Sequence, residues 1–154
     1  MPDKKPPSIE KPLILAKLSR LREYYGYLKQ LQAYTLEDFI GDFRIHGAAE
    51  RFLQVSIECI IDVGNELISS LQLRRPERYR DIPYILAEAG IIPKDFAETV
   101  ALMIGLRNLL VHAYASINLK MLYEFLQEKI RDFEKFAGHV AKWLKDKAAV
   151  NNDA

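Results

Sequence analysis

Near the end of one apolar stretch stand four side chains able to act on a phosphate: Arg107, Asn108, His112 and Tyr114, in the string Arg107-Asn108-Leu109-Leu110-Val111-His112-Ala113-Tyr114. Arginine stays charged at every physiological pH and grips two phosphate oxygens through its planar fork. Histidine, with an unperturbed pKa of ~6.5, gives or takes a proton near neutral pH. Each of these residues has a plain structural explanation when taken alone. Arg107 suits a surface charge with a buried stem, His112 a helix end favoured by the dipole, and Tyr114 an interface aromatic with a wet hydroxyl. Together they interrupt an apolar run that includes Met103, Ile104, Leu106, Leu109, Leu110 and Val111. Polar groups in such a run cost free energy unless they are paired or face an open groove.

On an ideal helix, at about 100° per residue, Arg107 and Tyr114 lie about 20° apart around the axis and His112 about 140° from Arg107. Arg107 and His112 can therefore meet at one phosphate through the long arginine stem, through distortion at the helix end, or across a dimer, and the sequence leaves all three open. Other chemistry has less support. His46, His112 and His139 show no close helical spacing of a metal pair. The glycines are scattered and form no phosphate loop, and no local signature assembles a Ser–His–Asp triad. No metal site and no cofactor is expected.

The elements that must position these side chains are helices. Leu15, Leu18, Leu21, Tyr25, Leu28 and Leu31 recur at steps of three and four and predict a first helix over 12–33, opened by Pro12. Thr35, with Asp38 three residues on, predicts the start of a short helical turn. A second long helix is expected from about Asp42 to Leu71, with Phe52, Val55, Cys59, Val63, Leu67 and Leu71 as its buried stripe. Cys59 reads there as a small buried hydrophobe. Asp81 is expected to cap a short helix over 82–89 that Gly90 stops. Pro93 and Asp95 open a third long helix reaching about Tyr114. Asn118 caps a fourth, whose stripe of Leu122, Leu126, Ile130, Phe133, Ala137, Val140 and Leu144 is the most regular in the chain. No stretch alternates as a strand does. The expected fold is all-α, an antiparallel four-helix bundle with additional short helices. We divide the chain into a flexible N-terminal tail over 1–11, a helical domain over 12–148 and a frayed C-terminus over 149–154.

Composition bounds the rest. The 154 residues suit one domain, and 49% apolar with 28% charged residues supports a soluble core-forming chain. One cysteine forms no internal disulfide, in keeping with a reducing cytoplasm. No apolar run approaches the ~20 residues that span a bilayer, and the Pro- and Lys-rich start precedes no signal-type stretch. The expectation is a cytoplasmic protein without a membrane partner. A net charge of +1 neither demands nor excludes nucleic acid. Arg74, Arg75, Arg78 and Arg80 cluster in a loop that reads as a solvated segment at least as well as a nucleic-acid contact.

The string resembles the Arg-x-x-x-x-His motif of the HEPN superfamily, in the Arg-x-x-x-x-His-x-Tyr form of the HepT-like ribonuclease toxins. Asn108 matches the polar residue usual after the arginine. The similarity extends over about 50–114 through Phe52-Leu53-Gln54, Ile60-Ile61-Asp62, Tyr79-Arg80-Asp81, Glu88-Ala89-Gly90-Ile91-Ile92-Pro93 and Met103-Ile104-Gly105-Leu106-Arg107-Asn108. Ala113 departs from it, since relatives often carry Glu there. The resemblance implies a homodimeric four-helix bundle acting on RNA as a metal-independent endoribonuclease. It implies Arg107 and His112 as the catalytic pair, Asn108 as support, and Tyr114 as a residue AMPylated by a minimal nucleotidyltransferase antitoxin (MntA-like), as in type VII-like toxin–antitoxin systems. The alternative within the same resemblance is a non-catalytic HEPN module that binds nucleotide or partners such a nucleotidyltransferase. A helical dimerisation scaffold stands behind both.

Overall fold

The computed structural model describes residues 8–112 and 117–152, and every regular element among them is helical. The order is α1 (Lys11–Leu31), α2 (Leu36–Gly41), α3 (Phe43–Ser70), a 3₁₀ turn (Tyr79–Asp81), α4 (Ile82–Glu88), α5 (Lys94–His112), α6 (Leu119–Glu128) and α7 (Arg131–Asn152). Caps set several boundaries where the sequence places them. Thr35 Oγ1 accepts from the Asp38 amide at 3.1 Å, Asp42 Oδ1 from the Arg44 amide at 2.9 Å, and Asn118 Oδ1 from the Met121 amide at 3.1 Å. Each satisfies an amide that the first helical turn otherwise leaves orphaned. Gly90, at φ 77°, ends α4 in a Schellman turn whose Ile91 amide reaches the Leu86 carbonyl at 2.9 Å. The same turn ends α3, with the Leu73 amide on the Ile68 carbonyl at 3.0 Å, but its left-handed residue is Gln72 at φ 54°.

The four long helices α1, α3, α5 and α7 make the bundle. Lys17 of α1 faces Asp62 of α3 while Tyr24 and Tyr27 face Phe52, so α1 and α3 run antiparallel. Phe96 near the start of α5 meets His139 in α7, whereas Leu102 and Leu106 share a groove with Lys129 and Asp132; these two helices are antiparallel as well. The core is an aliphatic and phenylalanine interior in which Phe39, Phe133, Phe136, Leu53, Ile57 and Ile82 are fully enclosed. Gly64 lets α4 approach α3, since a Cβ there would overlap the Ile82 side chain.

Four expectations are corrected. Leu15 is 41% exposed and Ile14, one turn before Leu18, takes its place in the core, while Leu18, Leu21 and Leu28 are buried. Phe52 and Val55 in α3 and Leu71 just past its end are only half-buried, while Ala49, Leu53, Ser56, Ile57, Ile60, Ile61 and Ile68 are buried. This helix is packed on several sides, by α1, α4 and α5, so one stripe understates it. Asp81 makes no side-chain cap to α4; its Oδ2 turns back and accepts the Glu77 and Arg78 amides at 3.1 and 3.0 Å. The fourth predicted helix is two helices, α6 and α7, broken at Lys129 and Ile130. All seven stripe residues from Leu122 to Leu144 stay buried across the break. α6 leaves the line of α7 to sit on α2, where Gln32 Nε2 donates to the Leu126 carbonyl at 2.9 Å and Tyr123 Oη donates to the Tyr34 carbonyl at 2.9 Å. The Leu126 carbonyl lies in the last turn of α6, so Gln32 supplies a donor that a continuing helix would have provided.

Candidate functional site

α5 carries the candidate residues. It begins at Lys94 after Pro93 and is buried along Ala97, Val100, Ala101, Met103 and Ile104. That face anchors it against α3, α4 and α7. Past Ile104 the burial thins: Leu106 and Leu110 are half-buried, Asn108 and Leu109 are exposed. The helix reaches His112 at its last residue, and Tyr114 lies outside the described residues.

Arg107 is held on two sides. Its Nε stands 3.7 Å from Glu58 Oε1 on α3, and its guanidinium carbon lies 5.4 Å from the centroid of the Tyr79 ring. Glu58 is itself steadied by Gln54, whose Nε2 donates to the same carboxylate at 3.2 Å. The Nε is buried and, at 3.7 Å, too far for a hydrogen bond, so it lacks an acceptor. Among the described residues no hydrogen bond engages the terminal guanidinium nitrogens, which are the part able to fork onto a phosphate. The side chain is therefore a charge aimed by a carboxylate and an aromatic face rather than neutralised by a close ion pair.

Asn108 opens onto a concavity of about 560 Å³ lined also by Asn65 of α3 and by Pro76, Glu77, Arg78, Tyr79 and Arg80. Asp81 shapes that loop through the two amides it accepts. Arg80 lies across α5 at Gly105, where a Cβ would touch its guanidinium at 3.8 Å. The arginine cluster thus divides. Arg74 is committed to Glu88 through two hydrogen bonds of 2.8 and 3.0 Å, which hold the Glu88 carboxyl below its usual range, while Arg78 and Arg80 border Asn108. Cys59 is buried, and burial above all, with Asp62 adding to it, pushes its thiol up to about 11, which makes it unreactive at neutral pH.

The structure thus sets Arg107 against Tyr79, which lines the same concavity as Asn108, with His112 further along the same helix. It adds Glu58 and Tyr79, which the motif leaves without a role. Glu58 had a signal of the kind that singled out Arg107: it is a charge set among Ile57, Cys59, Ile60 and Ile61. On the opposite side of α5, Leu102, Leu106 and Leu109 line an apolar groove with Met121 and Phe125 of α6, and Leu102, Leu109 and Met121 are 61%, 43% and 44% exposed.

A family model described as ribonuclease HepT-like matches residues 14–140. Over 119 residues the chain is 30% identical to the mRNA nuclease HepT of Shewanella oneidensis, covering 77% of this chain and 84% of that one. Over 137 residues it is 23% identical to the tRNA nuclease HepT of Aphanizomenon flos-aquae, covering 89% and 93% of the two chains. Among solved structures it is similar to the tri-AMPylated Shewanella oneidensis HEPN toxin in complex with MNT antitoxin, with a TM-score of 0.76, 27% identity, and 84% of this chain and 96% of that one covered. Family match, sequence relatives and helical architecture agree: the chain belongs to the HepT-like ribonuclease family.

Proposed function

We propose that this ribonuclease is the toxin of a HepT/MntA-type pair, a cytoplasmic, metal-independent endoribonuclease in which Arg107 and His112 are the catalytic pair and Asn108 supports them. The observation that carries the reading is Arg107 itself. Its guanidinium is flanked by Glu58 and Tyr79, its terminal nitrogens make no hydrogen bond among the described residues, and it is the neighbour of Asn108 on the helix that reaches His112. In the proposed reaction the substrate's own 2′-oxygen attacks the neighbouring phosphorus and its proton passes to a histidine. The P–O5′ bond breaks and the 5′-oxygen takes a proton from a second imidazole, leaving a 2′,3′-cyclic phosphate and a 5′-hydroxyl. Arg107 holds the added charge on the phosphoryl oxygens, where a fixed donor is worth most. One chain offers one histidine in the motif. A two-fold dimer supplies the second, and the apolar groove along Leu102, Leu106 and Leu109 supports an interface on the motif helix.

Neutralisation follows from the tyrosine. The solved relative is AMPylated and bound to an MNT antitoxin, and a related complex joins MntA to its toxin. We assign the modification in this chain to Tyr114, where an attached AMP would set a bulky anion beside the phosphate site, pair with Arg107 and exclude RNA. The test is RNA cleavage by purified wild type and His112→Ala in excess chelator. Cleavage by the wild type alone is expected. Activity abolished by chelator and restored by a divalent ion would defeat the mechanism.

A further inference from the structure

The concavity beside Asn108 does not end at the loop. A second one, of about 510 Å³, shares Asn65 and Pro76 with it and continues past Ile68, Ser69, Leu73 and Arg75 to Gln72. Each lies within the 300–1,000 Å³ usual for ligand sites. We propose that this trough, between the 72–80 loop, α3 and the end of α5, is a subsite for single-stranded RNA next to the cleaved phosphate. In it Tyr79 stacks one base, Asn65 and Asn108 read the base edge, and Arg75 guides the backbone onward. The proposal rests on the ribonuclease reading.

Tyr79 has the surroundings of a stacking platform. Arg107 covers part of its ring, yet the residue remains 46% exposed and lines the first concavity. Unstacked bases of single-stranded RNA settle on such rings, and a duplex keeps its bases out of reach. Asn65 and Asn108 are exposed amides in the same concavity, and each offers both a donor and an acceptor, as a base edge requires. The lining assigns the parts. The first concavity holds the exposed Tyr79 ring and both amides, so that end takes the base, and Arg78 and Arg80, beside Glu77, are placed to meet its phosphate. Arg75 lines the second, which has no acidic residue and suits the backbone. Arg74, bound to Glu88, takes no part. Both ends of the loop are fixed before RNA arrives, one by Asp81 on the Glu77 and Arg78 amides, the other by the left-handed turn at Gln72. A fixed trough spends little of its binding energy on ordering itself.

The experiment uses the full chain carrying His112→Ala, so that RNA is bound and not consumed. The probes are a short fluorescein-labelled single-stranded oligoribonucleotide, the matching duplex, and a polyglutamate peptide as competitor. Single strand should bind tighter than duplex. Tyr79→Leu should weaken it about 5- to 150-fold, the loss of one stacked base, and Tyr79→Phe should not. Arg75→Gln should flatten the salt dependence. With His112 intact, Asn65→Ala should change which base flanks the cut. Unchanged binding in Tyr79→Leu together with an unchanged cut site in Asn65→Ala, while the wild type cleaves, overturns the subsite and leaves the ribonuclease standing. So does equal competition by polyglutamate, which marks a general anion patch. If Arg107→Ala weakens binding as much as Tyr79→Leu and the two together weaken it no further, Tyr79 merely props Arg107 and the stacking role is overturned. A wild type that cuts no RNA but binds it through Tyr79 removes the nuclease and keeps the subsite.

Discussion

At the scale of single residues, Arg107 and Glu58 should be separable by kinetics. Arg107→Ala and His112→Ala each remove a group proposed to act on the reacting phosphate, and each should lower RNA cleavage by about 10²–10⁴-fold with helicity unchanged. A far-UV spectrum beside each cleavage assay checks both halves of that statement. Glu58→Gln keeps a hydrogen-bond acceptor near the Arg107 Nε but removes the counter-charge, so it should lose far less activity than Arg107→Ala. Tyr114→Phe should still cut RNA yet gain no AMP mass on co-expression with a nucleotidyltransferase antitoxin, whereas wild type gains it; AMP found on the Phe variant by intact mass would place the modification elsewhere. Much of this site was legible in the chain, because polar residues in an apolar helix announce themselves. Arg107, Asn108 and His112 do so in the stretch after Met103. Tyr79 did not, since an aromatic residue in a basic loop has no periodicity to violate, and its meaning comes from Arg107, which is 28 positions away in the chain.

At the scale of elements, helix ends and close approaches are the places to measure. Gln72 holds a left-handed φ of 54° that glycine adopts freely, so Gln72→Gly should raise stability. The relief is about 1 kcal/mol, partly offset by the looser unfolded chain, and urea midpoints would read it. Gly64→Ala should act in the opposite direction. Its Cβ would meet the Ile82 methyl and force α4 off α3, costing about 1–3 kcal/mol by the same measurement. The caps at Thr35 and Asn118, the start near Asp42 and the stop at Gly90 were readable because they depend on residues within a few positions of the helix end. The break between α6 and α7 was not. No glycine or proline marks Lys129 or Ile130, the apolar stripe passes through unbroken, and the cause is a tertiary one, the seat α6 finds on α2. Likewise, α3 shows several buried faces because it has several neighbours, a property of the assembly rather than of its own pattern.

At the scale of the molecule, the groove along Leu102, Leu106, Leu109, Met121 and Phe125 sets an expectation for assembly. Light scattering should give about twice the 17.8 kDa of one chain. Leu102→Asp, at the most exposed of these positions, should give monomers that keep their helical spectrum and lose RNA cleavage. A monomeric variant with full activity would show that one motif suffices. The bundle itself was legible as four amphipathic stripes, but which outward apolar residues form a continuous groove emerged only once α6 was laid beside α5.

Cys59 offers a use that its burial creates. Its thiol is shielded from reagents and also kept protonated by an apolar setting that pushes its pKa to about 11. Alkylation must therefore wait for α3 to come away from its neighbours, and the labelling rate becomes a clock for that opening. The chain has no second cysteine to blur the signal. RNA or a nucleotidyltransferase that binds the closed form should slow the clock in proportion to its occupancy, so affinity could be read from one built-in thiol without a dye, a tag or turnover.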